Sequence, residues 1–320
     1  CNLLAIDNKQ IIVPANQTDI RSFPAKPFLK WAGSKRQLLP KFLDLYASDL
    51  KDGKIKNYYE PFTGSGAVFF DIAQRYRIDN AFLYDVNEDL VLTYQVIQSQ
   101  IYKLVDTLNR HEKKYLALNK TERVGYFYEQ RMLFNRERFN NSSDSHTDKS
   151  INRAAQFIFL NRTCFNGLFR VNSKGEFNTP AGDYANPSIC DEDNLLAVSQ
   201  LLSKATIKKA DFTQVLKDVK PPAFIYFDPP YRPLTVTANF TAYSKSAFTD
   251  QQQLQLADMY RKLDKMKIAM MLSNSDAANG FFDDLYRGFH IKRIPARRLI
   301  NADASKRGAV NEIVITNYPV

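Results

Sequence analysis

The sequence predicts an α/β protein built on an open, doubly wound, mostly parallel sheet that is split by an inserted helical and β-hairpin segment. Three observations predict it. A β-turn-α-β unit is legible near the start: 57–60 as a strand, Gly64 and Gly66 as a turn, 67–76 as a helix, and 81–84 as a second strand ending at Asp85. Further on, the apolar run 223–227 stops at Asp228-Pro229-Pro230-Tyr231, as a buried strand closed by a rigid turn would. Between the two, residues 88–200 lose the strand pattern, so the sheet must be interrupted there.

The elements follow in order. Residues 1–22 are polar with scattered apolar positions and Pro14, and Pro24 and Pro27 come next, which predicts an arm leading into the first ordered element. Leu38, Leu39, Phe42, Leu43 and Tyr46 recur at helical spacing, with Pro40 in the first turn, where its missing N–H costs little. From 88 to about 140 the chain is amphipathic and rich in both charges, predicting helices, and Asn140-Asn141-Ser142-Ser143 predicts a surface loop. Over 161–184, Gly167, Gly175 and Gly182 interrupt aromatic and basic residues, predicting a turn-rich β ribbon or irregular loop. Strand patterning returns at 206–210, 223–227, 268–272, 289–293 and 312–316, with a helix over 251–265.

Composition bounds the partners. Of 320 residues, 44 are Lys or Arg and 34 Asp or Glu, a net charge of +10, while 44% hydrophobic and 24% charged is ordinary for a globular chain. The excess therefore sits on a folded surface that attracts polyanions, nucleic acid before anionic membrane. No apolar run approaches the ~18 residues of a spanning helix. Three cysteines (Cys1, Cys164, Cys190) and three histidines (His111, His146, His290) lack metal-ligand spacing, so neither a disulfide framework nor a zinc site is signalled. A cytoplasmic protein without a metal is the expectation.

Asp228-Pro229-Pro230-Tyr231 stands at the carboxyl end of a predicted buried strand, where open α/β sheets place their ligands. Two prolines remove two backbone donors and leave carbonyls without intrachain partners. The Asp228 carboxylate and Pro229 carbonyl can together accept both hydrogens of an amino group, and Tyr231 offers a flat face to a planar ring. An exocyclic amine of a nucleobase suits this cluster. Glu60-Pro61-Phe62-Thr63-Gly64-Ser65-Gly66 lies between strand and helix, and Asp85 follows at the distance of a ribose-binding acid. No third glycine completes a dinucleotide spacing and no Gly-Lys-Ser/Thr completes a P-loop, so the expected cofactor contains adenosine without requiring a pyrophosphate.

Several segments occur in a familiar order: Phe28-Leu29-Lys30-Trp31-Ala32-Gly33-Ser34-Lys35, the 60–66 turn, Ala210-Asp211-Phe212 and Asp228-Pro229-Pro230-Tyr231. Together they resemble Dam-type DNA adenine-N6 methyltransferases, over nearly the whole chain from about Pro27 to Tyr318. Asn166-Gly167-Leu168-Phe169-Arg170-Val171-Asn172 followed by Gly175-Glu176-Phe177-Asn178-Thr179-Pro180 is similar to that family's target-recognition hairpin.

The resemblance implies a Rossmann-like methyltransferase sheet with an inserted DNA-recognition domain: an arm over 1–22, a catalytic domain over 23–87 and 201–320, and a recognition domain over 88–200. It implies S-adenosylmethionine as cofactor, held by Trp31, Ala32, Lys35, Phe62, Gly64, Asp85, Asp211, Phe212 and Asp228. Asp228, Pro229, Pro230 and Tyr231 match the catalytic tetrapeptide, with Asp228 and the Pro229 carbonyl on the N6 amine and Tyr231 stacked on a flipped adenine. Double-stranded DNA is the implied partner, with GATC as its site and a restriction endonuclease as an optional companion. Arg170 has the chemistry for a guanine edge, and Leu168 and Pro180 for a thymine methyl. Lys30 and Tyr184 match positions at the first guanine, Phe165 matches the aromatic wedge, and Asn166 belongs to the same hairpin. Arg153, Arg162 and Asn172 are candidate phosphate contacts, and Lys174 adds to the positive face.

Three positions are informative against that pattern. Ser34 replaces a usual glycine, which is tolerable if its φ is negative. Phe165 replaces the commoner Tyr and preserves stacking. Cys164 reads as a packing residue, since no histidine lies nearby in sequence. The tetrapeptide alone leaves open an amine on RNA, on protein glutamine or in another DNA site, and a DNA-binding module with a decayed cofactor site. The basic charge argues against a protein substrate, and intact Asp85 and Asp228 argue against decay.

Overall fold

A computed structural model describes residues 24–137, 145–231, 248–276, 280–297 and 309–320. The expected 1–22 arm and the Asn140–Ser143 loop lie outside the described residues. Seven strands form one sheet: β1 (Asn57–Glu60), β2 (Asn80–Asp85), β3 (Ala205–Lys209), β4 (Ala223–Phe227), β5 (Ala269–Ser275), β6 (His290–Arg297) and β7 (Ala309–Thr316). Their order is β3-β2-β1-β4-β5-β7-β6. All neighbours pair in parallel except β7, which is antiparallel to both β5 and β6. Expected and observed strands agree, with ends shifted by a few residues.

The helices are α1 (Leu39–Phe42), α2 (Ser48–Lys51), α3 (Ala67–Arg75), α4 (Glu88–Ser99), α5 (Ile101–Ala117), α6 (Lys120–Arg136), α7 (Asp148–Thr163), α8 (Glu192–Leu202), α9 (Val215–Asp218), α10 (Asp250–Lys265) and α11 (Phe281–Leu285). Capping sets where they begin: the Asn119 side chain accepts from Glu122 N while Glu122 reaches back to Asn119 N, and Thr249 and Gln252 do the same for α10. No helix among the described residues is long and apolar enough to cross a membrane.

Alternation along the strands sends side chains to two cores. Tyr58, Phe224 and Tyr226 join one, and Tyr59, Ile225 and Phe227 the other. The first core continues without a break into Leu104, Phe127, Phe157 and Phe159 of α5, α6 and α7. The inserted helices therefore share their apolar interior with one face of the sheet. The second core is closed by Leu256, Tyr260 and Leu263 of α10.

Two expectations need correction. The helix expected over 38–46 is only the four residues of α1, preceded by a 3-10 turn at Lys35–Gln37. In the glycine-punctuated stretch, 161–163 complete α7 instead; the remainder is the irregular, turn-rich alternative, tied by two isolated bridges, Cys164 to Ala181 and Val171 to Phe177. Apolar burial of α7 against α4 and α5 carries the helix past where local residue chemistry suggested a loop.

From β1 the chain builds outward through β2 to β3, whereas β4 returns to the other side of β1 and continues to β5. The order thus reverses between β1 and β4, which are in register at Tyr58 and Phe224. Ligand sites of open α/β sheets lie outside the carboxyl ends of strands at such a reversal.

Candidate active site

All of β4 is buried, and its ladder cannot extend because Pro229 and Pro230 have no N–H to give. Asp228 is thereby left at the carboxyl edge, with 21% of its side chain exposed. Lys35 reaches it from the 3-10 turn. Its buried Nζ donates to Asp228 Oδ1 at 2.5 Å, to the Gly33 carbonyl at 3.0 Å and to the Tyr231 hydroxyl at 3.1 Å. It also lies 3.3 Å from Glu312 Oε1. Tyr231 donates in turn to the Glu312 carboxylate, with oxygens at 2.9 and 3.1 Å, while its ring stays partly exposed.

Two carboxylates, one ammonium and one phenol thus share a single cluster. Burial works against the Lys35 charge, but Asp228 and then Glu312 hold its pKa well above the ordinary value. Burial raises Asp228 above the usual carboxylate range, while Lys35 and Ser273 pull it back. Burial also pushes Glu312 up to about 7, against the pull of Lys35 and with the like charge of Asp228 adding to the rise. Sequence reasoning missed Glu312. The available signal was a lone acid directly before the apolar run Ile313-Val314-Ile315 of a buried strand.

Beside this cluster, the turn after β1 is shaped by two left-handed glycines, Gly64 (φ 47°) and Gly66 (φ 67°). A Cβ on Gly64 would stand 3.0 Å from Trp31 Cδ1, so the close approach of the two segments requires its absence. Asp85 anchors the turn: one carboxylate oxygen accepts from Gly64 N at 3.0 Å and the other from Asn87 N at 2.9 Å. Burial raises the Asp85 pKa and these N–H groups oppose the rise. Phe62 stacks on Phe212 with centroids 5.5 Å apart, and Phe248 closes on both edge-on. Exposed Asp211 caps the turn that carries Phe212, accepting from Thr213 N. Ala32 is exposed beside Trp31, whose ring stacks on Phe169 at 5.9 Å. Val86, 66% exposed directly after Asp85, was not singled out in the sequence. Ser34 has φ −51°, which explains why a non-glycine residue stands there.

The recognition segment meets the Lys30 segment through a buried residue that sequence reasoning also missed. Asn161 accepts from Lys30 N at 2.8 Å and donates to the carbonyls of Lys30 at 2.8 Å and Gly167 at 2.9 Å. Lys30 Nζ then lies 4.3 Å over the Tyr184 ring, joining two residues expected to act together. Phe165 is 51% exposed and is followed by Asn166 at φ 55°. Exposed Arg170 donates through Nε to Asn178 Oδ1 at 2.8 Å. Leu168 is half-buried and Pro180 exposed, with the Pro180 carbonyl accepting from Phe165 N. Lys174 is exposed at the hairpin turn.

The candidate phosphate contacts divide. Arg153 is buried; it forms a paired contact with Asp89 at 2.6 and 3.0 Å and donates to the carbonyls of Phe134 and Glu137. Its assignment to phosphate is therefore corrected: it ties α7 to α4 and α6. The Asn172 amide holds the hairpin turn, accepting from Lys174 N and Glu176 N and donating to Glu176. Arg162 is half-buried, and its Nε makes no hydrogen bond. Cys164 is fully buried and its thiol is pushed up to about 12, as a packing residue's would be. No group of three or more potential metal ligands occurs among the described residues.

The sheet order, the glycine turn, the acid at the end of β2 and the acceptor cluster at the end of β4 define an α/β enzyme of the methyltransferase class. The chain belongs to the D12 class N6 adenine-specific DNA methyltransferases, whose family pattern it matches over residues 31–300. It is 46% identical over 294 residues to the Type II methyltransferase M.MjaIII of Methanocaldococcus jannaschii, covering 92% of this chain and 99% of that protein. Identity is 36% over 300 residues to the Type II methyltransferase M1.LlaDCHI of Lactococcus lactis subsp. cremoris, covering 92% and 95%. A DNA adenine methylase of Escherichia coli is 31% identical over 295 residues, covering 92% and 96%.

Proposed function

We propose that this enzyme transfers a methyl group from S-adenosylmethionine to adenine N6 within GATC in double-stranded DNA, after flipping the adenine out of the helix. The observation that carries the reading is the Asp228 carboxylate, presented at the β1/β4 reversal and oriented by Lys35. Asp228 and the Pro229 carbonyl accept the two N6 hydrogens, which turns the nitrogen lone pair toward the methyl donor, and Tyr231 stacks on the base. Positioning does most of the work, because the acceptors are held in place before the base arrives.

The cofactor fits the residues present. Gly64 keeps the turn backbone free of a side chain that would press on Trp31, and Asp85 at the end of β2 is an acceptor for ribose hydroxyls. When bound, S-adenosylmethionine supplies an electrophilic methyl on a sulfonium, already a good leaving group. Trp31, Ala32, Phe62, Gly64, Asp85, Asp211 and Phe212 hold it, with Lys35 and Asp228 on the side of the amine.

Phe165 fills the space left by the adenine, Arg170 reads a guanine edge, and Leu168 and Pro180 meet the thymine methyl. Lys30 with Tyr184 reads the first guanine, Asn166 shapes the turn after Phe165, and Arg162 is a candidate phosphate contact. Residues 88–200 form the recognition domain, and 23–87 with 201–320 the catalytic domain. The enzyme works in the cytoplasm at the nucleoid. Two of the relatives are named Type II methyltransferases, so a companion endonuclease with the same site is the partner to test for.

Restriction mapping of DNA treated with the enzyme and S-adenosylmethionine tests reaction, base and site together. Protection from an endonuclease blocked by N6-methyladenine in GATC, with gain of cutting by one that depends on it, is the expected result. Methyl incorporation without either effect overturns the site.

A further inference from the structure

We propose that Glu312 is a positioning residue for methyl transfer, acting through Lys35 to keep Asp228 a strong acceptor for the target amine. The proposal rests on the assignment of Asp228 to that amine. Glu312 belongs to β7, inside a buried strand, yet it turns its carboxylate into the cluster formed by the turn before α1 and the loop after β4. The charged and titratable groups that face it are Lys35 from that turn, Asp228 and Tyr231 from the β4 loop, and Tyr226 from β4 itself.

Among the described residues, Lys35 is the one cation between the two carboxylates, 2.5 Å from Asp228 and 3.3 Å from Glu312. With Glu312 ionised, the cluster keeps one uncompensated negative charge, and Asp228 retains electron density for the N6 hydrogens. With position 312 neutral, the ammonium is given to Asp228 alone. The field of the ammonium then falls on Asp228 undivided and its oxygens accept more weakly, an effect that low local dielectric magnifies. Tyr231 feels the same change, because its hydroxyl accepts from Lys35 and donates to Glu312. Burial of Glu312 brings its titration up to about 7, close to neutral pH.

The test is single-turnover methyl transfer to duplex DNA as a function of pH, with cofactor binding measured alongside. Wild type should lose rate on the acid side as Glu312 takes up a proton near neutral pH. Glu312→Gln should be slower by about tenfold, with KM for DNA and cofactor little changed and the neutral-pH limb gone. Glu312→Asp should recover part of the rate and keep a limb, displaced from that of wild type. A wild-type rate and limb in E312Q overturns the proposal. So does equal slowing of both variants with an unmoved limb, which marks a packing role. If E312Q fails to bind cofactor, E312D decides, since an unmoved limb there also overturns it. Asp228→Ala separates the two readings: full transfer in D228A removes the assignment of Asp228 itself, whereas an inactive D228A beside a wild-type E312Q removes only the role of Glu312.

Discussion

Lys35 and Asp228 are 193 residues apart in the chain and meet at 2.5 Å at the carboxyl edge of the sheet. One comes from the turn that precedes the first helix, the other from the end of β4, so the contact exists only when β4 has inserted beside β1. A buried ammonium needs a counter-charge to be tolerated. That requirement makes Asp228, the acceptor proposed for the target amine, also the counter-charge of buried Lys35.

Removing the acceptor tests its chemical role. Asp228→Ala should lower single-turnover methyl transfer by about a thousandfold, the scale of a lost preorganised electrostatic contact. Affinity for S-adenosylmethionine, measured by calorimetry, should stay within a few-fold of wild type. Retained transfer in D228A would remove the carboxylate from the reaction.

Sequence reading by the hairpin can be separated from attraction to the backbone. Arg170→Ala should lose about 1–3 kcal/mol of discrimination at one guanine of the site, while binding to unrelated duplex changes little. Competition assays with single-base variants of GATC give the comparison. Equal losses on matched and mismatched duplexes would assign Arg170 to phosphate instead.

The glycine turn answers to a steric test. Gly66 has φ 67°, and a Cβ there would stand 2.6 Å from the Tyr94 hydroxyl, which donates to the Gly64 carbonyl. Tyr94 is fully buried, so its rigid ring can give way only by moving the core around it. Gly66→Ala should therefore cost about 2–4 kcal/mol of stability by denaturant unfolding. Cofactor affinity should fall with it, because the same displacement moves Gly64. Unchanged stability would show that the turn can relax.

A pH effect should appear away from the active site. Burial, with Arg110 and Lys114 nearby, brings the His111 pKa down to about 4 in the fold, against 6.5 ordinarily, and its Nδ1 pairs with the Tyr126 hydroxyl at 2.7 Å. Between those two values the unfolded chain takes up a proton that the folded chain does not. Stability should therefore fall as pH drops from 6.5 toward 4, by on the order of 2 kcal/mol from this group. In His111→Gln the slope across that window should flatten, as followed by denaturation midpoints against pH. An unchanged slope would place the titration elsewhere.

Much of this was legible in advance because it is local. The strand periodicity, the glycine turn and the Pro-Pro stop each depend on neighbouring residues, and Asp85 and Asp228 are found by their position after a strand. Lys30 and Tyr184 were paired by resemblance, and the ring and the ammonium do meet. Arg153 was misjudged because an arginine in a basic, amphipathic stretch has the same local appearance whether it faces solvent or Asp89. The glycine-rich stretch was misjudged at its start because packing on α4 and α5 extends α7 beyond what composition suggests.

The sequence by itself determined the open α/β sheet, the reaction class and the Asp228-Pro229-Pro230-Tyr231 turn at the end of β4, since each is encoded in contiguous motifs. Only the tertiary structure decided that Glu312 completes the charge cluster, that Asn161 joins the Lys30 segment to the recognition segment, and that the inserted helices share the core of the sheet. The physical reason is burial. A polar group taken out of water must find its partner in three dimensions, and nothing in the spacing of residues along the chain says which distant segment will provide it.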